Sequence, residues 1–317
     1  MPHMQADGAD SLDSRNDRET EAARTRVLLE QTFPPAVAQY VQRHPDSLAG
    51  QQREVTLLIA DLCGIESLDE ELTPTDCFEL LASVREILTK IVMARQGVVV
   101  DYRGDGLMAM WNAPLEQTEH AMLACSAAQE MLESLPKASR HWRDRMSGPL
   151  QLRVGLHTGP SLVGNSGASS RLKYGPRGDL ANVATRVQGA SKQLQLPLVM
   201  TKATHDQLSD EFFGQRICTA KLSGVEQQLD LYAVYPAHQE AQLREQLDQY
   251  AEALDWYEAG NLVTAERLLS DLASQGDVTP ARFLADHTVA QLQAVHRRRF
   301  SDPADLSQGP VIELAGH

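Results

Sequence analysis

Asp61 closes the apolar run Val55-Thr-Leu-Leu-Ile-Ala-Asp61-Leu-Cys-Gly64, and about forty residues later Asp105 sits in Val98-Val-Val-Asp101-Tyr-Arg-Gly-Asp105-Gly-Leu-Met-Ala-Met-Trp111. Carboxylates brought to adjacent strand ends can hold two divalent cations, one activating an attacking hydroxyl and the other neutralising a triphosphate, as two-metal phosphoryl-transfer sites do. The first segment reads as a buried strand that gives out at Asp61. The second reads as a strand, a tight Gly-Asp-Gly turn and a second strand, a hairpin with Asp105 at its tip. Taken singly, each acid also fits an ordinary turn, because Asp is a favoured turn former.

The elements that must position these acids follow from composition and periodicity. Residues 1–20 are polar with almost no large apolar side chain and read as linker or disorder. Residues 21–50 read as a helical segment, with Val27, Leu28, Leu29, Phe33, Val37, Tyr40 and Val41 apolar and Pro34-Pro35 dividing it into two short helices. Over residues 51–236 the predicted order is strand, helix, strand, strand, helix, strand, strand, helix, strand, helix, strand, strand. Its first helix spans about Thr75 to Arg95, its second runs from Gln117 to a stop at Pro136, and its third begins near Leu180. The third carries Asn182 and Arg186, whose spacing puts both side chains on one face. The alternation predicts an α/β fold, an α+β sandwich on a βαββαβ core with flanking helices. Residues 237–317 read as a helical appendage of three helices, Gln242 to Ala259, Leu262 to Ala273 and Pro280 to His296. Within it Tyr257-Glu-Ala-Gly260-Asn-Leu-Val-Thr-Ala265 resembles one tetratricopeptide helix pair. The appendage is expected to dock on the preceding domain or on a protein partner.

With 317 residues, 42% hydrophobic and 23% charged, the chain is long enough for one domain of about 180 residues plus appendages. No apolar run approaches the roughly 18 residues of a membrane span, and no secretory h-region opens the sequence, so a cytoplasmic setting is the expectation. Cys63, Cys77, Cys125 and Cys218 are too widely spaced for a zinc site or a disulfide framework. A net charge of −14 disfavours a nucleic-acid partner, since binding to that backbone depends on counterion release by Lys and Arg. An acidic protein that binds a nucleotide must instead concentrate metal and positive charge locally.

A third segment narrows the chemistry. Leu152-Arg153-Val-Gly-Leu-His157-Thr-Gly159 is followed by Gly164-Asn-Ser-Gly167, then Arg171-Leu-Lys-Tyr174-Gly-Pro-Arg-Gly178-Asp179, then Ala181-Asn182-Val-Ala-Thr-Arg186. With the two acidic segments, in this order and spacing, the chain from about Arg53 to Tyr235 resembles the class III adenylate and guanylate cyclase catalytic domain. The resemblance implies that family's palm-like core. It implies Asp61, Asp105 and the backbone carbonyl of Leu62 as ligands of two divalent cations, Mg or Mn. Arg153 would contact the terminal phosphates, Asn182 would orient the ribose, and Arg186 would stabilise charge on the α-phosphate. In the family these groups come from opposite subunits, so a homodimer with shared sites is implied, and the N-terminal segment resembles one that links protomers. A helix packing on its own domain is the other reading of that segment. His157 is expected to be structural rather than a general base, and Trp111 and Tyr174 are expected in the core.

Four positions depart from the family. Asp101 replaces the adenine-reading lysine four residues before the second metal acid, and Gly175 replaces its partner acid or threonine. Ser223 replaces a late lysine, and Glu66 replaces a phosphate-loop threonine. Guanylate cyclases place a glutamate where Asp101 stands, so the residue tilts recognition toward GTP, whereas family prevalence puts ATP first. Lys173 or Lys221 could restore a lost phosphate contact, and Arg103 and Arg177 add charge beside Gly-Asp pairs. A catalytically weak, dimerising nucleotide-binding module is the reading from a different class. A diguanylate cyclase is disfavoured because its Gly-Gly-Asp/Glu-Glu-Phe signature is missing.

Overall fold

The computed structural model describes residues 27, 29–30, 33–65, 71–146, 148–168, 173–274, 279–298 and 312–314. The expected linker over residues 1–20, the start of the N-terminal helical segment and Glu66 lie outside the described residues. Helix α1 (Pro35–Arg43) leads into β1 (Gln51–Cys63), α2 (Pro74–Ala94), β2 (Val98–Arg103), β3 (Gly106–Trp111), α3 (His120–Ala138) and β4 (Gln151–Asn165). Then come β5 (Tyr174–Arg177), α4 (Asp179–Gln193), β6 (Leu198–Thr201), the single turn α5 (Lys202–His205), β7 (Phe212–Leu222) and β8 (Gln228–Pro236). Helices α6 (Glu240–Glu258), α7 (Leu262–Ser274) and α8 (Thr279–Arg298) precede a short β9 (Ile312–Leu314). From β1 to β8 the order is the one the sequence predicts.

The strands form one mixed sheet in the order β2-β3-β1-β4-β6-β8-β7-β9, with β5 paired to β4. Strand β1 lies between β3 and β4, antiparallel to both. Its alternate residues Leu58, Ala60 and Leu62 join Leu107, Trp111, Val154 and Leu156 in a core beneath α2 and α3. The intervening Val55, Leu57 and Ile59 meet Leu29, Phe33, Val37 and Val41 of the N-terminal segment and Leu180 and Ala184 of α4. Burial on both faces explains why this strand reads as a continuous apolar run instead of an alternating one. The N-terminal segment packs on its own domain. Phe33, Val37 and Val41 are buried against their own sheet, and burying a side chain of that kind stabilises by roughly 1.5–3 kcal/mol.

Local rules account for the start of α2. Thr73 caps α2, its Oγ1 accepting from the Asp76 amide at 3.2 Å, and Pro74 occupies the first turn, where its missing N–H costs nothing. Pro136 does not halt α3, contrary to expectation; the helix runs two residues further, to Ala138. The ring removes one bond in the last turn, and Ser139 recloses that turn by donating both its amide and its hydroxyl to the Leu135 carbonyl.

The appendage is not purely helical. Its helices fall where periodicity places them, but β9 adds to the β7 edge in parallel, pairing Ala220 with Ile312 and Leu222 with Leu314. A three-residue strand carries too little pattern to be read from sequence. Helices α6–α8 and β9 share one core with the sheet. Tyr250, Leu254, Tyr257, Leu269 and Leu284 pack with Val199, Ile217, Leu231 and Val187. Tyr250 donates its buried hydroxyl to the Ile217 carbonyl at 2.7 Å, and Arg216 of β7 bridges to Glu258 of α6 and Asp230 of β8. No helix among the described residues is long and apolar enough to cross a membrane.

Because this core is shared, truncation after Pro236 is expected to expose Ile217, Leu231 and the β7 edge, lowering the midpoint of thermal unfolding by about 10 °C or more. Differential scanning calorimetry of the truncated and full chains would show it, and equal midpoints would show that the appendage is an independent unit.

Candidate active site

Strand β3 pairs with β1 as far as Leu107 opposite Ala60, and β2 and β3 are joined by the two-residue turn Gly104–Asp105, with Arg103 opposite Gly106. Gly104 has a φ of 49°, which suits glycine in such a turn. The decisive residue is the next glycine. A Cβ on Gly106 would lie 1.8 Å from the Ala60 carbonyl oxygen and 2.8 Å from the Asp61 Cα. Only a bare backbone lets the hairpin tip seat on the end of β1, which brings the Gly104–Asp105 turn to the strand end that carries Asp61. Arg85 of α2 supports the turn from outside by donating to the Gly104 carbonyl. Sequence reasoning missed Arg85, which carries no mark there beyond being a basic residue on a helix otherwise read by its apolar face.

The same contact fixes the direction of the carbonyls on β1. The Ala60 oxygen faces β3, and carbonyls two residues apart on a strand point the same way. The Leu62 oxygen therefore faces the Asp105 side, where the β3 ladder has already ended. Two carboxylates and a carbonyl are hard oxygen donors of the kind that Mg and Mn take, so the residues fit the implied cations. Across β1, Asp61 is the register partner of Arg153 on β4, which puts the guanidinium on the face of the sheet that carries Asp61. Arg153 donates to Gln151 Oε1 at 3.0 Å, while its Nε is buried without a partner. A cleft of about 670 Å³ runs from Arg153 past Gln195, Pro136 and Tyr235, and neither aspartate lines it.

Asn182 and Arg186 sit one turn apart on α4, as expected, Asn182 exposed and Arg186 half-buried. The helix lies very close to β4. A Cβ on Gly155 would meet the Gln188 amide nitrogen at 2.3 Å, and one on Gly159 would meet Leu180 at 3.1 Å. These two contacts make α4 antiparallel to β4 and level Asn182 with about Thr158, on the order of 15 Å along the strand from Arg153. The structure thus groups Asp61, Leu62, Asp105 and Arg153 at one end of the sheet and sets Asn182 apart from them.

Gly175 of β5 lies against Val100 of β2, the residue before Asp101. A β-bulge falls between Val99 and Asp101, and a Cβ on Gly175 would lie 2.6 Å from Val100 Cγ1. Lys173 Nζ donates to Asp101 Oδ2 at 3.0 Å, so this lysine is engaged with Asp101. Lys221, Ser223, Arg103 and Arg177 are exposed. His157 shares a 2.9 Å hydrogen bond with Thr201 Oγ1, and burial pushes its pKa down to about 4. A neutral histidine held by a core threonine is structural. Trp111 and Tyr174 are buried, Trp111 donating to the Arg95 carbonyl and Tyr174 packing edge-on to Phe33.

A palm-like sheet that presents two strand-end acids, with an arginine across from the first, defines a nucleotidyl-transfer class of fold and site. Residues 48–234 match the family described as the adenylate and guanylate cyclase catalytic domain, and the chain belongs to that family. Adenylate cyclase 1 of Rhizobium meliloti (strain 1021) is 31% identical over 191 residues, covering 60% of this chain and 29% of that protein. The crystal structure of the adenylyl cyclase CyaB from P. aeruginosa is similar at a TM-score of 0.55 and 26% identity, covering 59% of this chain and 96% of that one. The guanylyl cyclase Cya2 structure is similar at a TM-score of 0.53 and 25% identity, covering 58% and 93%. The chain spans less than half the length of the first curated relatives it matches, between 29% and 42%.

Two outcomes follow. Gly106→Ala forces the hairpin off β1 and is expected to cost about 1–3 kcal/mol, read as a lowered urea midpoint; an unchanged midpoint would remove the close approach from the account. For His157 the folded pKa of about 4 lies below its ordinary 6.5, so the unfolded chain takes up the proton first. The stability gained by keeping it neutral is complete above about pH 6.5 and is lost as pH falls toward 4. Urea melts at pH 7 and pH 5 should show a smaller acid loss in His157→Asn than in the parent chain.

Proposed function

We propose that this chain is a class III nucleotidyl cyclase that converts a purine nucleoside triphosphate to the 3′,5′-cyclic monophosphate and pyrophosphate. The observation that carries the reading is the seating of the Gly104–Asp105 turn on the end of β1 beside Asp61, with Arg153 across from it. In the reaction the ribose 3′ hydroxyl loses its proton, its oxygen bonds to the α-phosphorus, and the bond from that phosphorus to the pyrophosphate oxygen breaks. Asp61, Asp105 and the Leu62 carbonyl would hold two divalent cations, Mg or Mn, which supply charge neutralisation and lower the pKa of the attacking hydroxyl. Arg153 binds the terminal phosphates through its planar fork. Asn182 orients the ribose and Arg186 meets the charge that develops on the α-phosphate.

Asn182 is too far along β4 to serve the acids of its own chain, which supports a homodimer in which α4 of one subunit completes the site of the other. Residues 51–236 form the catalytic unit in this reading. Helices α6–α8 and strand β9 buttress its outer edge, and exposed Trp256 and Val263 leave room for a protein partner there. ATP is the substrate favoured by the adenylate cyclases among the relatives. A specific observation favours GTP as the second reading: Asp101, an acceptor, stands where the adenine-reading lysine would be.

Turnover with Mn and either ATP or GTP tests the reaction. Cyclic nucleotide formed by the wild type and lost in Asp61→Asn and Asp105→Ala, with far-ultraviolet circular dichroism unchanged, is the expected result; turnover that survives Asp105→Ala would remove the metal assignment. Sharing of sites has its own signature. Asp61→Asn and Asn182→Ala should each be inactive, whereas a refolded equal mixture should recover about a quarter of wild-type activity, because half the dimers carry one intact site. No recovery would place both groups in one chain.

A further inference from the structure

We infer that Arg85 is a positioning residue for the metal ligand Asp105: it pins the peptide plane whose flip would redirect that carboxylate, and so sets the cation affinity of the site. The inference rests on the metal assignment of the cyclase reading and deepens it.

The turn between β2 and β3 is built on Gly104 and Asp105, flanked by the pair Arg103 and Gly106. A two-residue hairpin loop of sequence Gly-Asp can close in two ways. Type I′ needs a positive φ at both central residues and type II′ only at the first, and Asp tolerates the left-handed region, so the sequence permits both. The two differ by a flip of the middle peptide, the one made by the Gly104 carbonyl and the Asp105 amide. That flip reverses the sign of φ at Asp105 and swings its side chain. Here φ is 49° at Gly104 and is not positive at Asp105, which is the type II′ pattern. The close approach of Gly106 to the Ala60 carbonyl holds the strand after the turn, not the peptide before Asp105.

Arg85 makes the choice between the two turns. Its guanidinium donates to the Gly104 carbonyl, the oxygen that a flip would carry to the other side of the loop. One helical turn further, Thr89 Oγ1 shares a 2.8 Å hydrogen bond with the Tyr102 hydroxyl, so α2 holds the hairpin at two points on one face. Nearer the start of the same helix, Asp76 accepts from Arg145 at 2.9 Å, which ties α2 to the segment that leads into β4. Stability does not account for Arg85, because its Nε is buried without a partner, an arrangement that costs folding free energy. Charge does not account for it either. A guanidinium bonded to the turn that carries a cation ligand repels the cations, so electrostatics and positioning make opposite predictions for its removal.

The test is a titration of the full-length chain with Mn, the free cation read by electron paramagnetic resonance, alongside urea midpoints. Wild type should bind Mn, and Asp105→Ala should lose that binding. Arg85→Met should weaken it by about tenfold, the size expected when an outer partner of a metal ligand is removed. Mn binding unchanged in Arg85→Met, with or without a lowered urea midpoint, would overturn the inference and leave the metal assignment standing. Tighter binding in Arg85→Met would overturn it as well, because it would show repulsion outweighing positioning. Wild-type Mn binding that survives Asp105→Ala, or no binding at all, sinks the metal assignment and the inference with it.

Discussion

One close approach, the Gly106 backbone against the Ala60 carbonyl and the Asp61 Cα, is what the rest of the site depends on. Antiparallel strands can sit side by side with ordinary side chains along their length, but the last pair here has no room for a Cβ. The absence of a side chain lets the hairpin tip overlap the end of β1, and everything needed at that point follows from the overlap. The Gly104–Asp105 turn comes to the strand end that carries Asp61, and the Leu62 carbonyl is left facing the turn. The central position of β1 makes this stiff. It is buried on both faces over Val55–Ala60 and laddered on both edges, so the acid near its end is carried by a strand held from four sides.

Much of this was legible in the sequence, for physical reasons that differ between elements. Strand β1 and the hairpin announced themselves through apolar runs that stop at Gly and Asp, and the helices through period. Asp61 and Asp105 fell where apolar runs give out and Asn182 and Arg186 on one helix face, whereas Arg153 and the roles of the helix pair came from the family resemblance. What stayed hidden was everything set by contact between distant segments. The bulge at Val100 is invisible because Val98-Val-Val100 is a uniform β-branched run. Lys173 was weighed only as a substitute for a lost phosphate contact, since nothing local says that its amine crosses to β2. Strand β9 was lost inside a segment read as helical, and Pro136 was read as a stop because the Ser139 bonds that reclose the turn cannot be foreseen from proline geometry.

The appendage enters the same mechanical argument from the other side. Helix α4 carries Asn182 and Arg186 outward, and its inward face is shared: Leu180 and Ala184 pack toward β1, while Val187, Ala190 and Leu194 pack into the core built with α6 and α7. A helix gripped at both ends of its buried face cannot tilt without disturbing one core or the other. Residues 237–314 therefore bear on the orientation of the helix that carries the proposed transition-state groups, even though the described part of that segment contributes no residue to the site.

That rigidity is what makes an incomplete site useful. The two glycines of β4 draw α4 down so closely that its register along the strand is fixed, with Leu180 at Gly159 and Gln188 at Gly155. Asn182 is then held on the order of 15 Å from the Arg153 end, too far for an amide side chain to bridge and too well anchored for the helix to slide. In the proposed homodimer, two chains related by a twofold axis would oppose the end of one sheet to α4 of the other, twice over. The N-terminal segment, for its part, packs through Phe33 onto Tyr174, the residue that follows Lys173, so it is joined to the same face of the sheet.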